Sequence, residues 1–236
     1  MGKKKVVVLT GAGVSAESGI STFRDNGGLW DRYDVNDVAS IDGWYRNRKL
    51  VLDFYNIRRA ELEKARPNAA HLAIAALEDR YEVTVVTQNV DNLHERAGST
   101  KIIHLHGELT KVRPETGVYD SSFSEAEIID VGYSAVHLGD TAPNGSQLRP
   151  HIVFFGESVP KIDAAINEVE RADILLIVGT SLQVYPAAGL YRYAPSGCPI
   201  YIIDPKEVPV ADPRITQIRE VASRGMEIFQ EYLEGK

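Results

Sequence analysis

The chain has 236 residues, of which 44% are hydrophobic and 25% are charged, as in an ordinary globular protein with room for a buried core. Its formal net charge of -7 disfavours nucleic-acid binding, which needs a basic face. The single cysteine, Cys198, excludes an internal disulfide and an all-cysteine metal site, and it indicates a reducing, cytoplasmic setting.

The chain begins with lysines and an apolar run, in MGKKKVVVLTGAG, and this resembles the start of a signal peptide. The apolar run spans only 6–9, which is shorter than the apolar part of a signal peptide, so a buried strand is predicted instead. No run of the sequence approaches the length of a membrane-spanning helix, and no membrane partner is expected.

Short apolar runs alternate with helical patterns, which is typical of an α/β fold with a parallel sheet and helices on both faces. Strands are predicted at 5–10, 81–87, 101–106, 150–155, 173–179 and 199–204. Helices are predicted at about 44–65, 68–79, 161–171, 186–194 and 223–234. Asn68 and Ser223 are the expected N-caps of two of these helices, and Pro67 is expected to end the first helix.

Two stretches interrupt this alternation. Residues 28–67 insert a loop and a long helix after the first strand, and residues 107–149 are rich in turn formers. Both are predicted to form a smaller domain beside a Rossmann-like, NAD-binding domain made of 1–27, 68–106 and 150–236.

The first strand leads into a glycine-rich loop, GAGVSA, that contains Gly11, Ala12 and Gly13. It matches the alanine form of the dinucleotide fingerprint, G-x-G-x-x-A, in which small residues let the backbone approach a pyrophosphate. Taken alone, the pattern also fits a tight structural turn.

The segment after this loop is unlike that of a dehydrogenase. No second strand ends in an acidic residue about twenty positions on, where a ribose would be bound. Instead, STFRDNGGLW is polar and glycine-rich, and it is interpreted as a loop that covers a ligand, with Phe23 and Arg24 as its working side chains. A merely solvated loop is the alternative.

Four further motifs follow in a fixed order: TQNVDNLHERAG (87–98), LHGEL (105–109), RPHIVFFGE (149–157) and VGTSLQVYPAAGL (178–190). Together with GAGVSAESGISTFR (11–24), they resemble the sirtuins, which are NAD-consuming protein-lysine deacylases. The resemblance extends from residue 5 to about residue 225. It implies that NAD is a co-substrate whose bond to nicotinamide is broken, and that the other substrate is an acylated lysine side chain of a protein.

The resemblance assigns the general base to His106, which directly precedes the glycine of the motif LHG. A near-neutral imidazole suits that role. His104 lies two residues earlier on the same predicted strand and points to the same face. The resemblance also makes Asn89 part of the catalytic site.

The same resemblance implies the residues that bind NAD. Asn89 and Asp91 bind the nicotinamide end and Gln88 contacts the ribose, although Asp91 alone would equally fit an N-cap of a short helix at 92–97. Further NAD contacts are expected from residues at the carboxyl ends of later strands, namely Gly179, Thr180, Ser181 and Asp204. For Asp204, a cap of a helix or turn is the alternative.

The substrate peptide is expected to lie as an added strand against Val153, Phe154 and Phe155. Phe154 stands where many sirtuins have tryptophan. Beyond the peptide itself, no protein partner is expected and a monomer is the family default.

Most sirtuins hold a structural zinc with two C-x-x-C pairs, but 107–149 contains no cysteine. The corresponding positions are Pro114 with Gly117 and Thr141 with Asn144. His137 and the nearby acids lack the spacing of zinc ligands. The sequence therefore predicts no metal, with this module held by packing and hydrogen bonds.

The motif FYNIRR places Tyr55 and Arg58 on one helix face. It resembles the Y-x-x-R of the sirtuin branch that reads succinyl, malonyl or glutaryl lysine, and Ala16 fits the roomier acyl pocket of that branch. The alternative is a solvated helix surface on which Arg58 pairs with Glu61 and Arg59 with Glu63.

The sequence thus predicts an NAD-dependent desuccinylase and demalonylase with some deacetylase activity. Mono-ADP-ribosyl transfer, or hydrolysis of NAD, is the related alternative. A non-catalytic sensor of NAD or ADP-ribose is the alternative from another class, and the presence of both His106 and Asn89 counts against it.

Overall fold

The computed structural model describes residues 2–20, 32–116 and 123–235. Its strands are β1 (Lys5–Thr10), β2 (Glu82–Thr87), β3 (Ile102–His104), β4 (Gly107–Pro114), β5 (Ile129–Asp130), β6 (Leu148–Ile152), β7 (Ile174–Val178), β8 (Ile200–Ile203) and β9 (Ile215–Ile218). Its α-helices are α1 (Val35–Val38), α2 (Ile41–Arg46), α3 (Arg48–Lys64), α4 (Ala69–Ala76), α5 (Leu93–Ala97), α6 (Ile162–Val169) and α7 (Ala222–Leu233). None of the helices in these ranges is long and apolar enough to cross a membrane.

Six parallel strands form the main sheet in the order β3-β2-β1-β7-β8-β9. Strand β1 lies inside the sheet and is buried along its whole length, as its unbroken apolar run predicts. Its side chains alternate between the faces: Val7 and Leu9 join one apolar cluster, whereas Val6 and Val8 join another. The two clusters include residues of α6 on one face and of α4 and α7 on the other, which confirms the predicted α/β class.

A second sheet has three strands in the order β5-β4-β6 and is antiparallel. Strand β6 was expected at 150–155 among the strands of the parallel sheet, and that assignment is wrong. The strand pairs with β4, and a third apolar cluster, formed largely with α2 and α3, covers it. Apolar character alone cannot tell which sheet a buried strand joins. The residue boundaries of the two predicted domains stay a prediction.

Several helix boundaries differ from those expected. The helix predicted at 44–65 is two helices, because the side chain of Asn47 accepts a hydrogen bond from Leu50 N (3.1 Å) and starts α3 anew. A 3-10 helix, Ala187–Tyr193, replaces the α-helix predicted at 186–194. Asn68 is confirmed as the N-cap of α4. Ser223 is not an N-cap, because α7 begins one residue earlier and the carboxylate of Glu17 accepts from Ser223 N and Oγ (2.9 and 2.6 Å).

A buried ion cluster joins β4 and β6 to the segment that follows β6. The guanidinium of Arg149 donates to both carboxylate oxygens of Glu157 (2.8 and 2.9 Å), and Arg113 donates to the same carboxylate (3.4 Å). Arg149 also lies 4.3 Å from the ring centre of Phe154. Both arginines are at most 2% exposed, so solvent does not screen these interactions.

Breaking this cluster should cost much more stability than breaking a surface pair. Arg149→Met leaves the buried Glu157 carboxylate with Arg113 as its one remaining cation, at 3.4 Å, beside the hydrogen bond from Phe154 N (2.7 Å), and we expect the free energy of unfolding in urea to fall by about 3–5 kcal/mol. Arg224→Met, which breaks the exposed pair with Glu227 on α7, serves as the control and should cost at most about 1 kcal/mol. Equal losses in the two variants would contradict the role assigned to the cluster.

Candidate functional site

The carboxyl ends of four parallel strands meet at one edge of the main sheet. Gly11 follows β1, Gln88 follows β2, Gly179 follows β7 and Asp204 follows β8. In open parallel sheets this edge is where ligands bind, and β1 and β7 are neighbours there. The fold therefore brings together the motifs that the sequence places far apart.

The glycine loop packs directly on the loop after β7. Gly13 N donates to Gly179 O (2.9 Å), and a Cβ at Gly13 would lie 2.6 Å from Gly179 Cα. A Cβ at Gly11 would lie 2.7 Å from Thr180 Cβ. Gly179 itself has φ +64, a conformation that favours glycine. The glycines of GAGVSA are thus required by contact between two loops, in addition to any ligand that approaches them.

Ser15 links the residues proposed for the nicotinamide end, and the sequence analysis did not identify it. Its hydroxyl donates to Asp91 Oδ2 (2.9 Å) and accepts from Asn89 Nδ2 (3.1 Å). His71 Nε2 lies 3.4 Å from the hydroxyl oxygen of Ser15. All four side chains are buried, so Ser15 fixes how the amide and the carboxylate are oriented. Its position in the glycine loop, two residues after Gly13, is the feature of the sequence that could have identified it as a site residue.

Gln88 and Asp91 each make a structural contact as well. Gln88 Nε2 donates to Thr180 Oγ1 (3.2 Å), which connects the loops after β2 and β7. Asp91 Oδ1 accepts from the N–H of Leu93 (3.1 Å), the first residue of α5, while its other oxygen faces Ser15. The N-cap of α5 is Asn92, so the alternative in which Asp91 is the N-cap is wrong. The half-buried Ser181 follows Thr180 in the same loop.

His106 has the geometry of a general base. Its Nδ1 is 3.0 Å from the carbonyl oxygen of Gln88, and a carbonyl can only accept, so Nδ1 carries the hydrogen and Nε2 keeps its lone pair. Burial lowers the pKa of His106 and outweighs the opposing effect of that hydrogen bond. The imidazole is therefore neutral, and able to accept a proton at Nε2, at neutral pH.

His104 differs from His106 both in its hydrogen-bond partners and in the direction in which its pKa is shifted. Its Nδ1 is 3.2 Å from the carbonyl oxygen of Asn89, and its Nε2 is 2.6 Å from the carboxylate of Glu95. Burial alone would lower the pKa of His104, but the hydrogen bond and charge of Glu95 outweigh it and raise the pKa. Both nitrogens face acceptors, an arrangement that favours the imidazolium and leaves neither nitrogen free to accept a proton from a substrate.

Asp204 makes the turn contact named as its alternative. Its Oδ1 accepts from Lys206 N (2.9 Å), which closes the turn after β8. A contact of Asp204 with a ribose stays a prediction. Phe23 and Arg24 lie outside the described residues.

Helix α3 places Tyr55 and Arg58 beside the loop that contains Asn89. Buried Arg59 donates through Nε to Leu109 O (2.9 Å), and Leu109 N donates to Val90 O (2.7 Å) in that loop. Arg59 is fully buried and cannot form the surface pair with Glu63 that was the alternative. Arg58 is half-buried, and the charge of Asp91 acts on it.

Tyr55 lies in a buried aromatic cluster with Phe154, their ring centres 5.8 Å apart. Burial raises the pKa of Tyr55 to about 12, so its phenol stays protonated and can donate a hydrogen bond. Phe154 is 1% exposed, whereas the next residue, Phe155, is 51% exposed and Val153 is half-buried. Phe155 thus has the freer surface of the three residues predicted to meet a peptide.

Comparison with known proteins adds to this geometry. Residues 11–186 match the Sir2 family. The chain is 54% identical over 231 residues to an "NAD-dependent protein deacylase" of Bacteroides thetaiotaomicron, and the match covers 98% of both proteins. A solved complex of a Sir2 homologue with NAD has a TM-score of 0.83 at 38% identity, covering 99% of this chain and 90% of the other. A complex of a mutant Sir2 homologue with ADP-ribose has a TM-score of 0.84 at 39% identity, covering 99% and 95%.

The contact between the two loops can be tested by adding one methyl group. Gly13→Ala places its Cβ too close to Gly179, and the loops must move apart. We expect NAD affinity, measured by calorimetric titration, to fall roughly tenfold or more, since overpacking of this kind costs about 1–3 kcal/mol. Gly197→Ala is the control because no atom lies within 4 Å of its Cβ. An unchanged affinity in Gly13→Ala would contradict the contact.

Proposed function

The chain belongs to the Sir2 family of NAD-dependent protein deacylases, and within that activity we propose that it removes acidic acyl groups, succinyl and malonyl above all, from lysine side chains. The observation that carries the proposal is the partly desolvated guanidinium of Arg58 beside the protonated phenol of Tyr55. Deacetylation is expected as a weaker activity of the same site.

The acyl specificity follows from the electrostatics of α3. Burial lowers the pKa of Arg58, although the charges of Tyr55, Asp91 and Glu61 oppose this effect, so desolvation works against the positive charge at this position. A carboxylate at the end of the acyl chain would compensate that charge and accept a hydrogen bond from the phenol of Tyr55. A charge-assisted hydrogen bond of this kind contributes about 1.5–3 kcal/mol, or roughly ten- to a hundredfold in rate. An acetyl group has no carboxylate and gains none of this stabilisation.

The residues of the sheet edge fit NAD as the co-substrate. The loop of Gly11, Ala12 and Gly13 would hold the phosphates, and the segment from Gln88 to Asp91 would hold the nicotinamide ribose. When bound, NAD would supply the sugar carbon that accepts the acyl oxygen as the bond to nicotinamide breaks, and with the addition of one water molecule the products would be nicotinamide, free lysine and O-acyl-ADP-ribose. His106 takes a proton from a ribose hydroxyl through Nε2, and its hydrogen bond to the Gln88 carbonyl fixes the tautomer that can do so.

In the described part of the small module, hydrogen bonds and ion pairs hold the segment in which most sirtuins are expected to bind zinc, and this supports a protein that works without it. The side chain of Gln147 closes the turn 137–148: its Nε2 donates to the carbonyls of His137 and Asp140 (3.1 and 3.0 Å), and its Oε1 accepts from Gly139 N (2.7 Å). The buried cluster of Arg149 and Glu157 holds the base of the same module.

The acyl preference is tested with one peptide prepared as succinyl-lysine and as acetyl-lysine. Arg58→Met should lower kcat/KM for the succinyl peptide by roughly ten- to a hundredfold, for the reason given above, and change that for the acetyl peptide little. The measurement is nicotinamide release with NAD present. Equal losses on both peptides would show that Arg58 is structural.

Two further variants calibrate this result. Lys64→Met removes an exposed cation from the same helix and should alter neither activity. His106→Tyr should abolish both, because both require the base. If the wild type prefers the acetyl peptide, the acidic acyl specificity is wrong while the deacylase activity stands.

Metal content can be measured directly on the purified protein. We expect less than about one zinc per ten chains by elemental analysis, since no cysteine is present at the expected positions. A chelator should leave the Tm unchanged. One tightly bound zinc per chain would contradict the proposal.

A further inference from the structure

We propose that His104 is a positioning residue whose protonated form holds the loop of Asn89, so that the enzyme works only between the titrations of His106 and His104. This inference rests on the proposed function, because it assumes that Asn89 and Asp91 bind the nicotinamide end of NAD. The two histidines are two residues apart, yet their surroundings shift their charge states in opposite directions.

His104 connects three parts of the fold. It ends β3, its Nδ1–H donates to the carbonyl of Asn89 after β2, and its Nε2–H donates to Glu95 in α5. The loop between β2 and α5 is therefore held near both ends by one buried ring, which is 6% exposed. Asn89, whose carbonyl accepts from His104, donates through its side-chain amide to the hydroxyl of Ser15. Asp91 accepts from that same Ser15 hydroxyl.

The short contact between His104 and Glu95 indicates a proton between them. With Glu108, these side chains form a group whose nitrogen and oxygen atoms lie within 4.8 Å of one another. A metal bonded to both atoms at about 2.0–2.2 Å would usually hold them farther apart than 2.6 Å. Glu108 also pairs with Lys111 (2.8 Å), which places a cation where a metal would be repelled.

The charged and titratable neighbours of His104 decide in which direction it titrates. Glu95 on α5 and Glu108 on β4 favour the imidazolium. Lys111 acts on Glu95, and neighbouring His94 is neutral because burial, with the charges of His71 and His104, holds its pKa well below the ordinary value. The two carboxylates therefore keep His104 charged over a range in which an isolated histidine has lost its proton.

Loss of that proton removes one of the two hydrogen bonds. A neutral ring has a single N–H, which the carboxylate of Glu95 takes because a bond to a charged acceptor is stronger. Nδ1 then presents a lone pair to the carbonyl of Asn89, and the contact becomes repulsive. The loop moves, and with it the amide of Asn89 and the carboxylate of Asp91.

The expected pH dependence of kcat/KM for NAD is bell-shaped. On the acid side, the rate rises as His106 loses its proton, which occurs below the ordinary pKa of 6.5 because burial lowers its pKa. On the alkaline side, the rate falls as the pH passes the raised pKa of His104. The same sign holds for stability, since a raised pKa in the folded state stabilises at low pH and the effect is lost as the pH rises through that pKa.

Glu95→Gln tests this without removing a hydrogen-bond partner, because the amide can still accept from Nε2. It removes the charge that raises the pKa of His104, so we expect the alkaline limb to move down by about one pH unit or more while the acid limb stays in place. Glu108→Gln should also move the alkaline limb down, but by less than Glu95→Gln does. Glu170→Gln, which changes an exposed acid directly after α6, is the control and should move neither limb.

The titration of His104 is followed in parallel by NMR of the histidine rings in the protein without NAD. Agreement between that pKa and the alkaline limb, in wild type and in Glu95→Gln, supports the proposal. A loss of rate by the same factor at every pH in Glu95→Gln, or a wild-type His104 that titrates below 6.5, overturns it. If the wild type releases no nicotinamide at any pH, the proposed function fails, and the pH dependence of NAD binding in the same proteins decides the role of His104.

Discussion

The close approach of two loops at the carboxyl edge of the main sheet is the constraint on which the site depends. Gly13 and Gly179 come together more closely than any side chain would allow, and this fixes the loop after β1 against the loop after β7. Gln88 then reaches Thr180, and Ser15 is placed over the loop after β2. A ligand at this edge meets backbone and side chains that already hold each other in position.

Burial sets the protonation states around this edge. It keeps Tyr55 protonated as a donor, lowers the pKa of Arg58 and keeps His106 neutral as an acceptor. Burial lowers the pKa of His104 too, but the hydrogen bond and charge of Glu95, together with the charge of Glu108, outweigh it and raise the pKa. Burial therefore disfavours the charged form of each of these groups, and at His104 the carboxylate of Glu95 reverses this effect.

The small module depends on a different kind of interaction. Buried guanidinium groups around Glu157 and the side chain of Gln147 organise its described parts. Arg48 adds two hydrogen bonds to Glu115 and ties the module to α3, the helix that presents Tyr55 and Arg58. Helix α3 is thus held to the module by the ion pair of Arg48 with Glu115 and to the Asn89 loop through Arg59.

The sequence by itself determined the α/β class, five of the six strands of the parallel sheet and the order of the site motifs, because apolar runs, glycine spacing and polar residues at strand ends are local signals. It missed the edge strand β9 (Ile215–Ile218), which was not among the predicted strands. It did not place β6 in the second sheet, since a run that is buried on both faces reads the same in either sheet. It also missed Ser15 as the link between Asn89 and Asp91, and it did not reveal that Arg59 is fully buried whereas its neighbour Arg58 is half-buried. The choice between His104 and His106 as the base rested on motif position alone. Only the tertiary structure gave the physical reason for choosing His106, because the charge of a histidine depends on which acceptors the fold brings to each of its two nitrogens.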